Sequence, residues 1–191
     1  MRVDQLQQEF DIDVSWRPYE LHPELPPDGR DRGERQPRPE GYVSPIRQLA
    51  QDAGMPYQPG RHIPNSHRSL EAAEFAREQG VFDAYHRALF NAYFGAGRDI
   101  GDVSVLGELG AAIGLDAAAL TEAVASGRYA ALVNESTEEA RGSGITGTPT
   151  FIFDGGERRL PIVGAQDYAV FQNVAQRMGA PRRTEGGNDG L

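Results

Sequence analysis

The spacing of apolar residues divides the chain into stretches of different kind. In VDQLQQEF, Val3, Leu6 and Phe10 share one face of a helix, and in DIDVSW the residues Ile12, Val14 and Trp16 alternate with polar neighbours, as in a half-buried strand. LHPELPPDGRDRGERQPRPEGYVSP follows, too dense in proline, glycine and charge to bury a face, so residues 28–65 are read as loop or linker. From Ser66 to Arg141 the helical period dominates. NSHRSLEAAEFAREQG opens on the capping candidates Asn65 and Ser66 and stops at Gly80; VFDAYHRALFNAYFGAG lines up Phe82, Tyr85, Leu89, Ala92 and Tyr93; three shorter helices follow, with Asp116 as a cap and Gly114 and Gly127 as stops. Then TFIF alternates as a strand, DGG signals a hairpin, RLPIVGA returns, and QDYAVFQNVAQRMG sets Val170, Phe171, Val174, Ala175 and Met178 on the face of a last helix. Residues 180–191 carry almost no apolar side chain and are expected to be a disordered tail.

A chain of 191 residues fits one domain, or a compact domain carrying an insertion. Its net charge of −9 repels phosphate backbones and anionic headgroups, so neither nucleic acid nor a membrane surface is an expected partner. No apolar run approaches the roughly 20 residues of a membrane span, and the first residues carry Asp4, Glu9, Asp11 and Asp13 where a signal sequence would be apolar. The expected setting is the cytoplasm. Cysteine is absent, which removes disulfides, thiolate ligands and cysteine nucleophiles together.

Candidate chemistry centres on GITGTPTFIF, residues 144–153. Proline cannot donate to a sheet ladder, so Pro149 begins the strand, and the Thr148–Pro149 bond is a candidate for the cis form. Such a kink would turn the backbone of Gly147 and Thr148 outward. The motif by itself is equally a plain strand start. Asn65 and Ser66 in IPNSHRS read first as helix caps. The four histidines, His22, His62, His67 and His86, show no ligand spacing, and no metal site is expected. His67 is a weak candidate for acid–base work. ESTEEARG reads as a solvated helix face, and Asp99 and Asp102 in GRDIGD as a turn and a helix cap.

Four separated motifs, SWRPYELHPELPP, ALFNAYFGAGRDIGDVSVL, GITGTPTFIF and VGAQDYAVF, together resemble the DsbA-like family, in particular its FrnE-type branch, which is related to the 2-hydroxychromene-2-carboxylate isomerases. The resemblance implies an α/β, thioredoxin-like fold of the DsbA type: residues 1–27 and 143–179 as the core, 66–142 as an inserted helical domain, and 180–191 as the tail. It also implies that the central strand, with the Cys-x-x-Cys or serine that precedes the first helix, is absent from this chain. Pro149 becomes the cis-proline facing the active site. Thr148 and Gly147 offer backbone to an extended substrate, and Asn65 and Ser66 open the insertion near the groove. No catalytic residue can be assigned.

Three functions follow from the resemblance. One is a thiol–disulfide oxidoreductase, N-terminally incomplete and lacking its nucleophile as given. A second is a glutathione-dependent isomerase or transferase, with glutathione as substrate and no bound cofactor. The third is a non-catalytic module that binds a thiol- or disulfide-bearing peptide or a partner edge. A homodimer is compatible with each. A thiolate at a helix N-terminus is what the chemistry demands, because exchange requires sulfur as attacker and leaving group. An unfilled slot in the sheet is also expected to make the chain marginally stable and prone to aggregate.

Overall fold

The computed structural model describes residues 2–33, 43–58 and 60–183. In chain order the elements are α1 (Arg2–Glu9), β1 (Arg30–Asp31), α2 (Pro45–Asp52), β2 (His62–Ile63), α3 (His67–Glu78), α4 (Phe82–Phe90) continuing into a π-helical turn (Asn91–Gly95), α5 (Val103–Ala112), α6 (Ala117–Ala125), α7 (Ala130–Gly142), β3 (Thr150–Asp154), β4 (Arg159–Val163) and α8 (Tyr168–Arg177). They fall into two compact units, Met1–Arg17 with Arg141–Leu191, and Pro18–Ala140. No described helix is long and apolar enough to cross a membrane.

The unit of Pro18–Ala140 is a helical block with its own core. Tyr85, Leu106 and Leu120 are wholly buried among Ala72, Ala76, Phe75 and Leu89, and removing each large side chain from water is worth about 1.5–3 kcal/mol. The helix ends follow local chemistry. Asp116 Oδ1 accepts from the N–H groups of Ala118 and Ala119, Asp102 Oδ1 from that of Ser104, and Gly80, at φ +75°, reverses the chain after α3. Gly110 lets α5 and α6 approach: a Cβ there would stand 2.9 Å from Leu120 Cδ1.

Residues 28–65 differ from the expected loop. They hold the antiparallel pair β1–β2 and the helix α2, whose start is set by Ser44 accepting from Arg47 N–H and by Pro45 in the first turn. Ile46, Leu49 and Ala50 of α2 stand at helical spacing, but none of them is buried, and the proline, glycine and charge on either side outweigh so short a stripe when the sequence is read. Residues 34–42 of that expected loop lie outside the described residues.

The unit containing both termini is built on the hairpin β3–β4, paired antiparallel from Thr150↔Val163 to Asp154↔Arg159. Phe151 and Phe153 face α8, where the Phe151 and Phe171 rings meet edge to face at 4.8 Å. Leu6 and Phe10 of the α1 segment close the same core. The expected strand at Ile12–Trp16 is not formed: residues 11–20 have no regular secondary structure, with Val14 exposed and Ile12 and Trp16 half-buried. The alternating apolar set is only partly turned inward, and a strand also needs a hydrogen-bonded neighbour; among the described residues none pairs with this segment. The tail also begins later than expected. Ala180 packs on the core, Phe10 and Arg182 form a bridge, and Arg183 N–H donates to Glu9 O at 2.8 Å; residues 184–191 lie outside the described residues.

Candidate functional site

After α7 the chain turns at Gly144, φ +78°, and reaches Gly147, Thr148 and Pro149, with the Thr148–Pro149 bond cis. Both neighbours of Thr148 are tied down. Gly147 O accepts from Thr150 Oγ1 at 2.7 Å, and Pro149 O accepts from Gly164 N–H at 2.8 Å. Thr148 and Pro149 are exposed and Gly147 half-buried, and a Cβ on Gly147 would meet no atom within 4 Å. The segment is therefore an open stretch of backbone held between fixed points.

Its continuation into β3 can be read rung by rung. Pro149 with Gly164 is one hydrogen-bonded pair, and Gly155 with Arg158, whose carbonyl accepts at 3.0 Å, is another. Such pairs recur at every second residue of an antiparallel ladder, so Phe151 with Ile162 and Phe153 with Leu160 supply the rungs between them. The N–H and C=O of Thr150, Ile152 and Asp154 consequently point away from β4. The same parity explains Pro161: it stands opposite Ile152, outside the rungs, so its missing N–H costs the β3–β4 ladder nothing. Sequence patterning gave no sign of which β3 residues face outward, because parity depends on the turn that closes the hairpin.

Asn65 and Ser66 belong to the other unit. Asn65 Oδ1 accepts from His67 N–H at 2.8 Å and its Nδ2 donates to Leu25 O at 2.9 Å, so it caps α3 and clasps a coil. Ser66 contributes through its backbone, its carbonyl accepting from Ser69 Oγ and Leu70 N–H, and its side chain caps nothing. Gly147, Thr148 and Pro149 thus form one local site, and Asn65 and Ser66 a second, each described within its own unit.

Beside Asn65, His67 places Nδ1 3.2 Å from Glu20 Oε2 and Nε2 3.6 Å from Glu71 Oε1. Burial holds the Glu71 carboxyl above its ordinary range, against the pull of His67 and the Tyr129 N–H. Sequence reading missed these buried carboxylates, since Glu20 sits in a proline-rich coil and Glu71 in an ordinary helical run. The other histidines are also engaged: His22 with Glu24, His62 with Asp31 and Asp99, and His86 between the rings of Phe82 and Phe90. Among the described residues no three metal-binding side chains gather.

Comparison with known proteins agrees with this architecture. A family model described as a DSBA-like thioredoxin domain matches residues 1–176. The uncharacterized protein YwbO of Bacillus subtilis (strain 168) is 28% identical over 167 residues, covering 86% of this chain and 81% of that protein. Among solved structures, the probable DsbA oxidoreductase SCO1869 from Streptomyces coelicolor superposes with a TM-score of 0.72 at 25% identity, over 99% of this chain and 89% of its own. The cytosolic disulfide reductase DsbM from Pseudomonas aeruginosa, at 23% identity, shares the fold with a TM-score of 0.56 over 78% of this chain and 80% of its own. With its hairpin, closing helix and inserted helical block, this chain belongs to the DSBA-like thioredoxin-domain family.

Proposed function

We propose that this chain is a FrnE-type member of the family whose residues supply the ligand-binding part of thiol–disulfide chemistry, holding a thiol- or disulfide-bearing peptide, or glutathione, along the backbone of Gly147, Thr148 and Pro149. The carrying observation is the exposed Thr148, fixed on both sides by the Gly147 and Pro149 carbonyl bonds. Exposed backbone at the start of a strand accepts an extended ligand by main-chain pairing, as an edge does. Exchange itself needs a thiolate to attack and another to leave. These 191 residues contain no cysteine, so what they contribute is recognition. The proposed setting is the cytoplasm, which a cysteine-free chain suits.

The test is a titration of the 191-residue chain with reduced glutathione and with a short cysteine-containing peptide, followed by backbone amide shifts. Shifts centred on Gly147, Thr148 and Thr150, with no reduction of insulin disulfides, are expected. Preference for glutathione over the peptide would favour the isomerase-type reading. Shifts confined to other residues, or insulin reduction by these residues alone, would defeat the proposal.

A further inference from the structure

We infer that Glu20, His67 and Glu71 form a proton-operated latch, which closes the coil Pro18–Leu25 over the first turn of α3 and lets its middle go when the cluster loses a proton. All three residues lie in the unit Pro18–Ala140, and the inference is independent of the reading of Thr148.

The coil is fastened at both ends and once between them. Pro18 O accepts from Ser136 Oγ at 2.8 Å, and Leu25 O accepts from Asn65 Nδ2 at 2.9 Å. Between these, Glu20 turns inward. Its N–H donates to Thr137 Oγ1 at 3.0 Å, and its carboxylate, on a side chain 7% exposed, lies 3.2 Å from His67 Nδ1. Residues 21–24 beyond it are exposed, with His22 paired to Glu24. On the far side of the ring, His67 Nε2 lies 3.6 Å from Oε1 of Glu71, whose side chain is 4% exposed. Glu71 Oε2 accepts from Tyr129 N–H at 3.3 Å, and the Arg68 charge also acts on this carboxyl. Farther along α3, Glu74 is engaged by Arg77, and Glu78 by Arg128 and the Tyr129 hydroxyl.

Both ring nitrogens of His67 thus face a carboxylate, and this fixes how many protons the cluster holds. A neutral imidazole has one N–H, so its other nitrogen presents a lone pair. Set against a carboxylate oxygen in a site mostly closed to water, that lone pair repels. The arrangement is complete only with one further proton, carried on the ring or on the Glu71 carboxyl. Burial holds Glu71 above its ordinary range, and a group whose folded value is raised gives up its stabilisation as pH rises. The latch is therefore closed at lower pH and opens as pH increases. When the proton passes to water, one carboxylate must withdraw. Glu71 is one turn along the same helix as His67 and is held by Tyr129 N–H, so it stays. Glu20 is on a coil with no helix or ladder, so it moves, and the middle of the coil goes with it while Pro18 and Leu25 keep their fastenings. Opening uncovers Glu71 at the start of α3, and return of the proton covers it again.

Nuclear magnetic resonance of the 191-residue chain, followed from about pH 5 to about pH 9, tests the latch. The imidazole nitrogens of His67 and the carboxyl carbons of Glu20 and Glu71 should shift with one common midpoint, because they share a single proton. Protection of the Glu20 amide, corrected for the intrinsic rise of exchange with pH, should fall at least about fivefold across that midpoint, while that of the Leu106 amide in α5 changes by less than about twofold. Glu71→Gln gives the ring a side-chain amide donor that does not titrate, so the fall at Glu20 should disappear. His86→Phe removes a titration that the latch does not use and should leave the fall in place. His67 titrating with Glu20 and Glu71 unmoved would overturn the inference. So would a Glu20 amide equally or better protected at the alkaline end, or a fall that persists in Glu71→Gln. Should Glu71→Gln fail to fold, the common midpoint and the Glu20 exchange of the unaltered chain decide.

Discussion

His86 lies between two phenylalanine rings, 5.4 Å from Phe82 and 4.6 Å from Phe90 between centroids. Burial holds its pKa below the ordinary histidine value; Asp83 pulls it upward, while Arg77 and Arg87 add to the depression. An unfolded chain, with His86 near about 6.5, therefore binds a proton more readily than the folded one. The stability this site contributes is complete above that value and is lost as pH falls toward the lower folded value. Glu71 acts in the opposite sense, because burial raises its folded pKa and favours the folded form as pH falls. His86→Phe keeps a ring in the stack and cannot be protonated. The fall in Tm from about pH 7.5 to about pH 5.5 should be smaller in this variant than in the parent chain; an equal fall in both would show that His86 is not the titrating group.

The coil from Pro18 to Leu25 has no ladder or helix of its own and is held by side chains of neighbouring helices. Ser136 Oγ donates to Pro18 O at 2.8 Å, Glu20 N–H donates to Thr137 Oγ1 at 3.0 Å, and Asn65 Nδ2 donates to Leu25 O at 2.9 Å. Ser136 is 8% exposed and Glu20 5%, so removing a partner strands a buried group. Ser136→Ala should cost about 1–3 kcal/mol, read as a lower Tm and faster exchange of the Glu20 amide; unchanged exchange at Glu20 would show that the coil is held without it. These clasps mark the boundary of what periodicity reveals. α3 to α8 and the hairpin were legible because each carries an apolar face that must be buried, and Asp102 and Asp116 because a cap acts within its own turn. The Ile12–Trp16 strand was misread because pairing depends on a neighbour that alternation does not report. α2 was missed because its short apolar stripe, Ile46 and Leu49, lies between stretches dense in proline, glycine and charge. At the site, Gly147, Thr148 and Pro149 announced themselves through proline chemistry, whereas Ser136, Thr137 and the outward parity of β3 arise from residues that meet only after folding.

The two units differ in what holds them. One has a core of large side chains from α3 to α6, with Tyr85, Leu106 and Leu120 fully buried. The other rests on a two-stranded sheet covered by α8 and the α1 segment, with one edge of β3 unpaired among the described residues. Isolated two-stranded hairpins are marginal in water, and an open flat edge is a template for association. Local opening should therefore begin in the hairpin unit. Hydrogen exchange over residues 150–163 is expected to be faster than over residues 103–125, whose opening requires the helical core to come apart. Concentrated samples should also aggregate through β3, and Ile152→Lys, which places a charge on the exposed face without removing any backbone donor, should slow that aggregation while leaving the slow exchange of α5 and α6 unchanged. The opposite result is equally definite: uniform protection across both segments, with a single sharp melt at monomeric mass, would mean that the hairpin unit is stabilised by more than its two strands and that its free edge has no bearing on how the chain behaves in solution.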